Sequence, residues 1–283
     1  MTSSPEASEE HTPESGAVSQ GPPGADVTPG ETLLSLRGIS KSFGPVQAIQ
    51  NIDLDVPAGQ VTALIGDNGA GKSTLIKTIS GIWQPSGGHI YWRGKEVHIH
   101  TPRDATELGI ATVYQDLALC DNLDIVENLY LGHEATRLGV LDEITMELTT
   151  VKTLKDLAVS TVKSVRQKVG SLSGGQRQAV AVARAVMRDS KLVILDEPTA
   201  ALGVSQTAQV INLIKTLAQR GVAVIVISHN LTDVFEVADR VAVMYLGSLV
   251  SAGPIQNYDT GSAVDLITTG TSSRVPPTLA SAQ

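Results

Sequence analysis

The sequence predicts an α/β protein organised around a parallel sheet, and three observations carry that expectation. A glycine-rich loop, Gly66 to Ser73, separates the apolar run Val61 to Ile65 from a run whose apolar positions Leu75, Ile76 and Ile79 recur at helical spacing. A second apolar run, Leu192 to Leu195, delivers Asp196 and Glu197 at its end, as a central parallel strand does at a ligand crevice. Around these, strand-like and helix-like segments alternate along the chain.

In chain order, strands are expected near Leu33–Arg37, Ala48–Val56 and Val61–Ile65, followed by the loop and a helix over Gly71–Ile79. A strand His89–Trp92, a helix Arg103–Leu108 and a strand Ile110–Tyr114 come next. From Asp124 to about Lys168 the chain reads as mainly helical. Ile125, Val126, Leu129 and Tyr130 have helical spacing there and read as that segment's core or as a groove for a partner's coupling helix, and both can hold for different faces. Alternation resumes with helix Gly174–Met187, the strand ending at Glu197, helix Ser205–Gln219 and strand Val222–Ser228. A helix from Leu231 follows, with Asn230 as its N-cap and Asp233 in its first turn, and then strand Val241–Tyr245.

The loop has the chemistry of a phosphate cradle. Gly66, Gly69 and Gly71 permit positive φ and close backbone approach, so successive N–H groups can face phosphate oxygens at a helix N-terminus. Lys72 reaches the β- and γ-phosphates and the Ser73 hydroxyl binds Mg²⁺, with Asp67, Asn68, Ala70 and Thr74 completing the lining. Asp196 can hold the cation's water shell, and Glu197 can polarise the water that attacks the γ-phosphorus. His229, at the end of the next strand, can donate to the charge that develops there. Taken singly, these residues also read as a glycine-rich turn, an acidic turn before Pro198 and a structural histidine. Leu172-Ser173-Gly174-Gly175-Gln176 opens another helix with a glycine-rich anion site, but without a lysine it cannot hold a nucleotide alone. Two half-sites imply two chains.

By these motifs, in this order, the chain resembles the ABC-type ATPases, the nucleotide-binding subunits of membrane transporters, from about Leu33 to about Gly270. The resemblance implies a P-loop NTPase core of RecA-like form, an antiparallel β subdomain and an inserted α-helical arm at about 116–187 that docks on the membrane subunit. It identifies Gly66–Ser73 as Walker A, Leu172–Gln176 as the signature that completes the ATP site of a second subunit, Val193–Glu197 as Walker B with its catalytic glutamate, and His229 as the switch histidine. Gln115 matches the glutamine that joins Ser73 and Asp196 at the metal, and Phe43 stands where the family stacks an aromatic on adenine, unless it is a core residue of an early strand. ATP and Mg²⁺ are the implied cofactors. The implied partners are a second copy or a second ABC subunit, transmembrane permease subunits and, indirectly, a sugar-binding protein.

Within the family, the wording at Tyr114–Leu119, Asp121–Leu129, Gln176–Arg184 and Glu197–Val204 is most similar to the ATPases of bacterial monosaccharide importers of the ribose, xylose, galactose and fructose group. A single copy of each motif leaves room for one module. Gly203 departs from the wider family, which usually places an aspartate there. The competing function is a non-transport ABC ATPase of DNA repair or translation. Those proteins carry long inserted coiled coils or paired modules with a basic linker, neither of which this sequence contains. A module that binds ATP without hydrolysing it is the third reading, and every chemical position is filled against it.

Composition fits an ATPase that leaves membrane passage to other subunits. No apolar stretch approaches the roughly 20 residues needed to span a bilayer, and no signal-peptide pattern opens the chain, so the expected location is the cytoplasm, peripheral to the inner face of the cell membrane. One cysteine, Cys120, excludes an internal disulfide. Residues 1–31 hold six acids and no lysine or arginine, leaving 23 acids against 21 bases beyond them. Such a body has no basic footprint for nucleic acid. The acidic tail 1–31 and the end 271–283 are expected to be disordered. His98 and His100 share a strand face but lack further ligands at metal spacing.

Overall fold

The computed structural model describes residue 28 and residues 30–275 apart from 160 and 188. Strands β1 (Thr32–Phe43), β2 (Val46–Pro57), β3 (Val61–Gly66) and helix α1 (Lys72–Ile79) open the fold. After them come β4 (Gly87–Trp92), β5 (Lys95–Val97), α2 (Pro102–Leu108) and β6 (Ile110–Val113). The middle of the chain holds α3 (Ile125–Tyr130), a ribbon of β7 (Thr136–Arg137) and β8 (Val140–Leu141), α4 (Glu143–Asp156) and α5 (Gly174–Val186). The remainder is β9 (Leu192–Asp196), α6 (Val204–Gln219), β10 (Ala223–Ile227), α7 (Leu231–Val237), β11 (Arg240–Tyr245), β12 (Ser248–Pro254) and α8 (Thr260–Thr269).

A six-stranded sheet runs in the order β12-β11-β3-β10-β9-β6, parallel except for β12, and a four-stranded antiparallel sheet runs β2-β1-β4-β5. The period-two alternation of the central strands decides the layers. Val61, Ala63, Ile65, Val193, Leu195, Val224 and Val226 face one core, built with α5, α6, α7 and α8. Leu64, Leu192, Ile194, Ile225 and Ile227 face the other, shared with α1 and the antiparallel sheet. Both faces of the parallel sheet are covered, which is why its strands read as unbroken apolar runs.

The arm is less helical than the sequence suggests. Between α3 and α4 the chain turns through Leu138 and Gly139, both at positive φ (53° and 81°), and pairs Thr136 with Leu141. Beyond α4, the helical structure among the described residues of 157–173 is a short 3₁₀ turn at Val169–Ser171. Wholly buried Asn128 fixes the loop ahead of α3: its amide oxygen accepts from the Cys120 N–H (2.7 Å), and its Nδ2 donates to the carbonyls of Cys120 (3.0 Å) and Asp124 (2.9 Å). Ile125, Val126 and Leu129 are buried and belong to the arm core, whereas Tyr130 is half-buried at its edge.

Of the two expected tails, 1–27, 29 and 276–283 lie outside the described residues. Gly30 donates to the Ala58 carbonyl (2.9 Å) and the Ala58 N–H donates to Glu31 (2.8 Å), so the fold begins ahead of residue 32. At the other end Val275 packs on the main core and Arg274 lies 4.0 Å from Asp259, so residues 271–275 fold back on α8. No helix among the described residues is long and apolar enough to cross a membrane.

Candidate functional site

The parallel strands bring the expected residues to one edge. Register pairs Gly66 of β3 with Met244, Leu64 with Ile227, Ile227 of β10 with Asp196, and Leu195 of β9 with Val113 of β6. Read across the C-terminal edge, the Gly66 loop comes first, then His229, then Asp196 with Glu197, then exposed Gln115 just past β6.

Backbone geometry explains the loop's glycines. Gly71 caps α1 at φ 100°, and a Cβ there would stand 2.6 Å from Ile49 Cγ2 and 2.9 Å from the Ala48 carbonyl oxygen. A Cβ on Gly66 would stand 2.4 Å from the Met244 carbonyl oxygen. Gly69 has open space but φ 82°, a left-handed conformation. Lys72 closes the cradle by donating from Nζ to the carbonyls of Gly66 (2.7 Å) and Asp67 (2.9 Å). Burial lowers the Lys72 ammonium below the usual lysine value, while the carboxylates of Glu197, Asp67 and Asp196 oppose that shift. Burial and neighbouring Glu197 push the Asp196 carboxyl up, and Lys72 and Lys77 only partly counter them. The side-chain oxygens of Ser73, Gln115 and Asp196, at the start of α1 and at the ends of β6 and β9, are of the hard-donor type that a divalent cation takes.

Glu197 sits at φ 50°, outside the strand conformation, with its N–H bonded to the Ile227 carbonyl (3.0 Å). Its Oε2 lies 2.8 Å from His229 Nδ1, and the carboxylate is 17% exposed against 73% for the histidine. A neutral ring so held presents Nε2 only as an acceptor, so donation to a phosphate requires the ring to leave Glu197 or to gain a second proton. The high exposure of His229 leaves room for that movement. Asn230 caps α7 by accepting from the Thr232 N–H (3.0 Å), as its sequence position suggests. Thr199 Oγ1 donates to buried Asp233 (2.7 Å) and ties the loop after Glu197 to α7. That pair carries no motif and was not legible in the sequence.

Ser173 and Gln176 form a reciprocal capping box at the start of α5, with Ser173 N–H donating to Gln176 Oε1 (2.9 Å) and Ser173 Oγ accepting from the Gln176 N–H (3.4 Å). Gly174 and Gly175 have ordinary helical φ. What they need is space: a Cβ on Gly174 would stand 2.8 Å from Leu202 Cδ2, and one on Gly175 3.1 Å from Gln206 Cβ. Leu172 is buried beneath, whereas Ser173 and Gly174 face outward. Helix α5 packs on α3, α4, α6 and β6, so this half-site stands apart from the Gly66 loop of its own chain.

Phe43, 41% exposed at the end of β1, meets Trp83 edge to face with centroids 4.7 Å apart. It is therefore not a core residue. Lys77 lies 4.8 Å from the Trp83 ring, which makes Trp83 a neighbour of the site that a search for motifs passes over. The His98 and His100 rings stack 6.1 Å apart, and His100 Nδ1 lies 3.2 Å from Gln84 Oε1.

Residues 49–200 match the family model described as ABC transporter. The chain is 43% identical over 245 residues to the fructose import ATP-binding protein FrcA of Rhizobium meliloti, covering 84% of this chain and 94% of that protein. It is 45% identical over 218 residues to the xylose/arabinose import ATP-binding protein XylG of Sulfolobus acidocaldarius, covering 77% and 86%. It spans about half the length of the ribose import ATP-binding proteins that it also matches. Among solved structures, a nucleotide-free ATP-binding cassette of an ABC transporter superposes with a TM-score of 0.71 at 29% identity, over 79% of this chain and 91% of the other.

Proposed function

The chain belongs to the ABC transporter family, and on that premise we propose that it is the ATP-hydrolysing subunit of a monosaccharide importer, acting as a dimer beneath permease subunits. The observation that carries this reading is the convergence of the Gly66 loop, His229, Asp196, Glu197 and Gln115 on one sheet edge, with the Ser173 half-site facing outward elsewhere. The names of the fructose and xylose/arabinose relatives support the sugar.

The loop amides and Lys72 bind the triphosphate, and Phe43 stacks on adenine. Ser73, Asp196 and Gln115 would hold Mg²⁺, whose chemistry is to neutralise phosphate charge. Glu197 accepts the proton of the attacking water, and His229 positions that carboxylate through its 2.8 Å contact. Ser173 to Gln176 of a second subunit cover the same nucleotide from the other side. Val204, 91% exposed beside Gly203, fits a face that a second chain covers.

For the permease we infer the cleft of about 300 Å³ between core and arm, lined by Thr106, Ala111, Tyr114, Leu131, Ala181 and Arg184 among others. It adjoins Gln115, so a helix seated there would feel the nucleotide state. A sugar-binding protein would act through the permease, and the subunit would lie on the inner face of the membrane. Deleting the gene is expected to abolish ATP-driven uptake of one pentose or hexose in a radiolabelled panel, with DNA-damage tolerance unchanged. Normal uptake of every sugar together with a repair or translation defect would move the protein to the competing class.

Gly203 yields a smaller prediction. It caps α6 at φ −75° with no side-chain cap bond and nothing within 4 Å of a Cβ. Asp therefore fits, and as an N-cap it should add a few tenths of a kcal/mol, raising the melting temperature by about 1 °C. A charged group there also gains a hydrogen-bonding route across the dimer, so Gly203→Asp is expected to raise the Hill coefficient for ATP. A more stable variant with an unchanged ATP dependence would show that this position does not limit communication between sites.

A further inference from the structure

Gln115 lies on a very short free span. Before it, Tyr114 is fastened to the core: its hydroxyl lies 3.2 Å from buried Ser80 Oγ, after α1, and Val113 pairs with Leu195 in the parallel sheet. After it, the chain is fastened to the arm at nearly every residue. Arg184 of α5 donates from Nη2 to the Leu117 carbonyl (2.7 Å) and from Nη1 to the Ala118 carbonyl (2.8 Å). Ala118 is held at φ 48°, with its N–H on Asp116 Oδ1 (3.2 Å). Asn128 binds Cys120, and Arg177 of the same helix lies 3.1 Å from Asp121.

Arg184 and Ser173 sit on one rigid element. Residues 180–183 between them are buried, and α5 rises about 1.5 Å per residue, so the guanidinium and the capping serine mark the two ends of a strut roughly 16 Å long. A fork of two charge-assisted hydrogen bonds to adjacent carbonyls fixes orientation as well as distance, which a lysine cannot reproduce.

We propose that Arg184 is a positioning residue that locks the Gln115 loop to the signature helix, so that occupancy of a subunit's own ATP site sets how Ser173 is presented to the partner's site. The proposal rests on the two-site dimer reading above.

The test uses Arg184→Met and Arg184→Lys in a Glu197→Gln background, which removes turnover from the measurement. Nucleotide affinity of the monomer should stay within twofold of the parent, while the Mg·ATP concentration giving half-maximal dimer on size exclusion should rise about tenfold for Met and less for Lys. A second readout needs no dimer. Cys120, the one cysteine of the sequence, is partly buried two residues beyond the clamp, so its rate of modification by a thiol reagent should rise severalfold in both variants. A folded variant, Met or Lys, that dimerises at the parental ATP concentration overturns the proposal, as does unchanged Cys120 reactivity. If the Glu197→Gln parent itself fails to dimerise, the two-site reading fails, and the thiol rates still decide whether the clamp exists.

Discussion

Glu197→Gln is expected to bind Mg·ATP with near wild-type affinity, release phosphate about 10²–10³-fold more slowly, and elute as a nucleotide-bound dimer. The substitution is nearly isosteric, and the amide oxygen can still accept from His229 Nδ1, so the local geometry survives. What is lost is the capacity to take a proton from water, an effect of roughly 3 to 4 kcal/mol on the barrier for that range of rates. The strained φ of 50° at this position treats glutamine and glutamate alike. Removing the charge also removes one cause of the raised Asp196 carboxyl, so binding of a triphosphate should not weaken. Phosphate release and size exclusion with Mg·ATP are the measurements. Hydrolysis at the wild-type rate would take the general-base role away from Glu197, and a lower melting temperature with lost binding would point to damage of the fold.

The parts of the fold that sequence reading found are those in which one pattern decides one structure. Buried parallel strands such as Leu192–Asp196 and Ala223–Ile227 are short aliphatic runs with turn residues on either side, and their ends were placed within a residue or two. The helix start at Leu231 was legible because Asn230 is a good cap, and that at Gly174 because the glycine-rich motif opens it; the Ser173 cap there came from the structure. The hairpin at Thr136–Leu141 was not, since a two-residue strand carries no periodicity and Leu138 is an unusual residue for a left-handed turn. Strand β12 escaped notice for a related reason: Ser248–Pro254 is an edge strand of mixed residues, mostly half-buried, so alternation is blurred.

Candidate site residues were legible where chemistry demands a residue type at a fixed spacing, as in Gly66–Ser73 and Asp196-Glu197. Roles that depend on packing were not. The signature glycines read as an anion nest, yet their helical φ and the closeness of Leu202 and Gln206 show a steric requirement inside the chain. Arg184 lies within a stretch already noted for its wording, but its fork on Leu117 and Ala118 joins residues 66 and 67 positions apart, which no local pattern reveals. The contact of Glu197 with His229 was foreseen only as far as neighbouring strand ends. Its distance came from the register of β9 and β10.

Gly66→Ala is expected to abolish measurable ATP binding and to destabilise the protein by about 2–4 kcal/mol, although it adds a single methyl group. The reason lies in the sheet. Gly66 ends β3 opposite Met244 of β11, and the added Cβ would fall 2.4 Å from the Met244 carbonyl oxygen, a backbone atom held by its own strand pairing. Relief requires the two strand ends to separate by about 1 Å, because packed interiors have no slack to absorb the contact. The Gly66 carbonyl, which accepts from Lys72 Nζ at 2.7 Å, would move with them and take the lysine away from the phosphates. Gly87→Ala provides the contrast: that residue has ordinary φ and nothing within 4 Å of its Cβ, so binding and melting temperature should stay close to wild type. Thermal melts and equilibrium binding of a fluorescent ATP analogue measure both variants. A Gly66→Ala protein that binds ATP as the wild type does would mean that β3 and β11 part easily at this edge, and the loop's shape would then have to come from Gly69 and Gly71 alone.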